Sequence, residues 1–113
     1  MTTLMPTDDN NNPIPALRLR SNGGAHSIPA TANSGRNSTA FDSETQVISV
    51  FSTVAIFMRF GDSAVTANVT DHYFPAGLYY DIAIGGDGQK QFSHLAVIRA
   101  EPADGVVYIS EKT

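Results

Sequence analysis

Chemistry in this chain would have to come from a short supply of reactive side chains. There is no cysteine, and the only histidines are His26, His72 and His94. No two histidines show the short spacing of a His-x-x-x-His metal pair, and the lack of cysteine removes thiolate zinc sites and disulfides. Serines are plentiful, but none sits in the Gly-x-Ser-x-Gly elbow that holds a nucleophile beside a base. Gly85-Gly86-Asp87-Gly88 lacks the Lys-Ser/Thr that completes a phosphate loop and the acidic series of a calcium loop, so it reads as a strand connection. Asp62, Asp71 and Asp81 are the acids nearest aromatic residues, and each is explained by a turn or an outward strand position. Asn37-Ser38-Thr39 and Asn68-Val69-Thr70 match glycosylation acceptors by sequence alone. The expectation is a protein with no catalytic residues, no cofactor site and no metal site.

Aromatic side chains offer a different kind of chemistry. Tyr73, Tyr79 and Tyr80 could form a stacking platform for a sugar or a hot spot for a protein. Phe74 is expected to complete the core.

Charge narrows the partners. The net charge is −4, and the few cations (Arg18, Arg20, Arg36, Arg59, Lys90, Arg99 and Lys112) are scattered. Binding nucleic acid needs a concentrated positive footprint, and so does adsorption to an anionic membrane. Neither partner is expected. Charged residues make up 16% of the chain, against about 25% in ordinary domains. A surface made polar by Ser, Thr, Asn and Gly is easily desolvated, as protein interfaces require. The first residues, Met1-Thr2-Thr3-Leu4-Met5-Pro6, do not read as a secretory signal. No apolar run approaches the ~20 residues of a membrane span.

The elements that would carry such a surface are unevenly distributed. Residues 1–46 hold thirteen apolar residues and residues 47–113 hold thirty-four. The expected organisation is an extended polar arm over residues 1–46 and a β-body over residues 47–113. Within the arm, Ala16-Leu17-Arg18-Leu19-Arg20 alternates and could add a strand to a sheet edge. In the body, period-two runs predict strands over 46–51, 54–60 and 78–84, with a weaker one over 64–70. The runs 94–100 and 106–110, joined by Glu101-Pro102-Ala103-Asp104-Gly105, predict a hairpin. The fold expected is all-β, a small antiparallel sandwich or barrel. A body of this size is near the lower limit for an independent core, which favours assembly into a homo-oligomer, either a dimer or a trimer.

The body resembles the small β-sandwich virion proteins of tailed bacteriophages. The pattern comprises Val47-Ile48-Ser49-Val50, Phe60-Gly61-Asp62, Tyr73-Phe74-Pro75-Ala76-Gly77, Leu95-Ala96-Val97-Ile98 and the ending Asp104-Gly105-Val106-Val107-Tyr108-Ile109-Ser110. The resemblance implies a non-enzymatic head decoration (cement) protein on the capsid surface, assembled in the host cytoplasm. Its partners would be the major capsid protein or other virion proteins. A neck or tail component is the alternative it also allows. On this reading Leu17, Arg18, Leu19, Arg20, Ile28 and Phe41 of the arm, with Tyr79 of the body, would contact neighbouring subunits. A carbohydrate-binding module using Tyr73, Tyr79 or Tyr80 is the alternative from a different class.

Overall fold

The computed structural model describes residues 6–13, 16–86 and 88–113. Asp87 of the glycine-rich connection lies outside the described residues. The described elements are all strands: β1 (Ala25–Ala30), β2 (Gly35–Arg36), β3 (Val47–Ser52), β4 (Ile56–Gly61), β5 (His72–Phe74), β6 (Tyr79–Ala83), β7 (His94–Arg99) and β8 (Gly105–Lys112). They form two antiparallel four-stranded sheets, ordered β1-β8-β3-β6 and β2-β7-β4-β5. The fold is a small antiparallel β-sandwich.

Alternation builds its interior. Side chains on successive strand residues point to opposite faces. In β8 this sends Val107, Ile109 and Glu111 inward, all nearly or fully buried. In β3 it sends Ile48 and Val50 inward, and in β7 Leu95 and Val97. All of these but Glu111 join Ile28, Phe41, Ile56, Met58, Phe74 and Ile84 in one hydrophobic cluster. Full burial of each such side chain contributes roughly 1.5–3 kcal/mol.

Two expectations change here. The runs 94–100 and 106–110 form strands, but not a hairpin. β7 lies between β2 and β4 in one sheet, and β8 lies between β1 and β3 in the other. Both edges of each strand are already taken, so residues 100–104 arch from one sheet to the other. The two apolar faces then meet across the core instead of lying side by side. Only β4 and β5 follow one another within a sheet. The run 64–70 is not a strand either. Its Val65 and Ala67 pack on Ala96 and Ile98, forming a flap over the outer face of β7. The flap is held by side chains in place of a ladder. Arg36 Nη1 donates to the Val65 carbonyl at 3.0 Å, and Ser34 Oγ accepts from Ala67 N at 2.8 Å.

The packing also does not divide at residue 46. β1 pairs along its whole length with β8, from Ala25 opposite Ser110 to Ala30 opposite Gly105. Ile28, Ala30 and Phe41 are core residues, and Asn37 and Thr45 are buried. The turn that brings β1 onto β8 needs two glycines. Gly23 has a φ of 71°, and a Cβ on Gly24 would stand 2.3 Å from the Arg20 carbonyl oxygen. Before that turn, Arg20 N donates to the Glu111 carbonyl, and Thr113 N donates to the Arg18 carbonyl. The alternating segment at 16–20 forms no strand of its own; it meets the end of its own β8 through a single bridge of Leu19 with Lys112, beyond the end of β1.

Candidate interaction surface

The polar groups most able to do chemistry are buried and occupied with one another. The carboxylate of Glu111 is 1% exposed and lies on the core face of β8. Its Oε2 accepts from His26 Nε2 at 2.7 Å. Its Oε1 accepts from the Thr45 hydroxyl at 2.6 Å and from Asp42 N at 2.9 Å. The ring of Phe41 stands edge-on to His26, with centroids 5.1 Å apart. Gln91 Nε2 donates to the carbonyls of Asp42 and Thr45, both at 2.6 Å, and Arg20 pairs with the Asp42 carboxylate at 2.9 Å. A buried charge must be both paired and hydrogen-bonded, and here the whole set ties residues 20–45 to the end of β8. These hydrogen bonds make the group a clasp between that segment and β8.

The other histidines stand apart from it. His72 is exposed on β5. His94 is buried at the start of β7, with Nδ1 at 2.8 Å from Ser93 Oγ. Burial first, and then the nearby Arg36 guanidinium, hold His94 below its ordinary value of 6.5. Among the described residues no three of His, Asp and Glu come together as metal ligands do. Asn37 is 2% exposed; its amide donates to the carbonyls of Thr39 and Ser93 and accepts from Leu95 N. It is therefore closed to glycosylation in the folded chain, whereas Asn68 is exposed.

What remains accessible is aromatic. Across the outer face of the first sheet the register aligns Ser27, Tyr108, Phe51 and Tyr79 in one transverse row. Cross-strand neighbours share a face, so the three aromatic rings project from the same side. Tyr108 is 53% exposed and Tyr79 58%, with Phe51 half-buried between their strands. Beside the row, Lys112 Nζ meets Asp81 at 2.9 Å and lies 5.3 Å from the centre of the Tyr79 ring. The Asp81 contact raises the Lys112 pKa, partly offset by burial.

The expected residues are thus redistributed. Ile28 and Phe41 are core and cannot contact a partner. Arg20 is engaged with Asp42. Leu17 is half-buried, while Arg18 and Leu19 are exposed beside the end of β8. Tyr79 belongs to the aromatic row. Tyr73, Tyr79 and Tyr80 do not share a platform. Tyr73 sits opposite Phe57 on the second sheet, their rings edge-on at 5.8 Å, and Phe57 alternates with the core residues Ile56 and Met58, so the pair faces outward from that sheet. Tyr80 sits opposite the core residue Val50, on the inner side of β6. Phe51 and Tyr108 are not singled out by the sequence as binding residues, because each lies in an apolar strand run where core residues also occur. The signal that separates them is parity, since both fall out of phase with the buried residues of their strands. The chain matches no family model, no curated protein and no solved structure.

Proposed function

We propose that this protein is a non-enzymatic virion structural protein, a head decoration subunit of a tailed phage that binds the capsid through the outer face of its first sheet. The observation that carries the binding reading is the row of Tyr108, Phe51 and Tyr79, held on three adjacent strands with both tyrosines open to solvent. Rigid tyrosines on a sheet bury large area at little entropic cost, which is why they recur as binding anchors. The low charge and the phage-like sequence pattern of the body support the choice of partner. Leu19 and Arg18 would add contacts beside the end of β8. In a virion the chain would lie on the capsid surface after assembly in the host cytoplasm.

A neck or tail role rests on the same surface, and copy number separates the two. Quantifying the chain against the major capsid protein in purified particles should give a ratio approaching one to one for decoration. A few dozen copies or fewer per particle would move the protein to the neck or tail. Absence from particles would end the virion reading. A glycan-stacking role is the second reading, because Tyr79 and Tyr108 share a flat face that a sugar ring could cover.

A further inference from the structure

We infer that a second copy of this chain docks on the open edge of β6, joining two first sheets into one continuous sheet across a two-fold axis. This goes beyond the virion reading and holds with or without it.

An unpaired strand edge is a template for another strand, and folded proteins blunt such edges. Three of the four edges here are blunted. β1 carries Pro29, β2 has two residues and β5 has three. β6 runs five residues without proline, four of them exposed, and has no partner on its outer side among the described residues.

The hydrogen-bond parity shows what that edge offers. Ile84 N donates to the Gln46 carbonyl, in register with the β3 and β6 pairing, while Thr53 N donates to Val106 on the opposite side of β3. Bonded and non-bonded pairs alternate in an antiparallel ladder. Ile82 and Tyr80 therefore turn their backbone groups toward β3. Tyr79, Asp81 and Ala83 turn theirs to the open edge.

The side chains point to a second copy as the occupant. The inner face of β6 carries half-buried Ile82 and Tyr80 at 56% exposed, and Ile84, just past the strand's end, is fully covered. The core face of the strand thus continues past the core that covers it. A two-fold pairing that sets Tyr80 against the partner copy's Tyr80 covers both rings on the inner side, next to Ile82 of each copy. The same register sets Asp81 opposite the partner copy's Tyr79, whose ring already carries Lys112. Carboxylates and ammonium groups then alternate along the outer face. Shifting the register by one residue on each strand would instead set Asp81 against its own copy, and like charges directly opposite destabilise a pair.

The chain lacks cysteine, so single cysteines report the register cleanly. The experiment measures sedimentation equilibrium of the full chain, then air oxidation of Tyr80→Cys and Asp81→Cys. The expected result is a concentration-dependent dimer, with a disulfide-linked dimer from Tyr80→Cys and little from Asp81→Cys, since only the first pair meets at disulfide distance. Tyr79→Pro removes one outward N–H and leaves the β3 ladder intact, so it should weaken self-association by at least about tenfold. If that variant misfolds by circular dichroism, the two cysteine variants still decide. A chain that stays monomeric at all concentrations overturns the inference. So does a dimer that cross-links through Asp81→Cys and not through Tyr80→Cys.

Discussion

Replacing Glu111 with alanine should destabilise the fold by about 3–5 kcal/mol, because one buried carboxylate accepts three hydrogen bonds and each donor left unsatisfied costs about 1–3 kcal/mol. The substitution leaves three donors without an acceptor: His26 Nε2, the Thr45 hydroxyl and the Asp42 backbone N–H. Two of the three sit where water has little access, since the His26 side chain is 7% exposed and Thr45 is fully buried, while Asp42 is half-buried. Urea denaturation should show a lower midpoint at an unchanged slope. Glu111→Gln keeps an oxygen for Thr45 and Asp42 and should lose less. Replacing both His26 and Glu111 with leucine should recover part of the loss, because the buried His26 donor is then removed together with its acceptor. A loss below about 1 kcal/mol for Glu111→Ala would mean that the clasp contributes little beyond what water can replace.

A chain beginning at Val47 should fail to fold, whereas one beginning at Gly23 should fold. The shorter chain loses β1 and β2, the core side chains Ile28 and Phe41, and the partners of Glu111. Deleting either large core side chain alone costs about 2–5 kcal/mol, comparable to the whole stability of a small domain. Among the described residues, the longer chain loses the contacts of residues 18–20 with 111–113 and the Arg20 ion pair with Asp42, worth about 1–2 kcal/mol together. Far-ultraviolet circular dichroism with urea unfolding separates the cases. Cooperative unfolding of the chain from Val47 would show that β3 to β8 form an independent core.

The strands of the body were legible because Val47, Ile48 and Val50, or Leu95, Val97 and Ile98, concentrate β-branched and large apolar residues in short runs. β1 was not. Its inward residues are His26, Ile28 and Ala30, so only one is a large aliphatic, and Pro29 reads as a strand breaker. Proline is tolerated there because β1 is an edge. The clasp was invisible for a related reason. Glu111 shares the inward phase of Val107 and Ile109, but its partner His26 lies 85 residues away, and no local pattern links them. The false hairpin at 94–110 arose because turn residues mark a reversal without saying which sheet the chain enters next. The aromatic row is half legible: Tyr79 stands out, while Phe51 and Tyr108 sit in apolar strand runs whose outward phase the register fixes.

The most direct test of the account is binding to capsids. Shells would be prepared from a phage whose genome encodes this chain, after deletion of its reading frame. The purified wild-type protein and the variant Tyr108→Ala would then be titrated onto them, with soluble glycans as competitors. Tyr108 lies on β8, away from the β6 edge, so its loss leaves self-association untouched. The account predicts saturable binding by the wild type that glycans do not displace, weakened by about 2 kcal/mol or more in the variant. Equal binding by the two proteins would contradict the assignment of this face, and no binding by either would contradict the function itself.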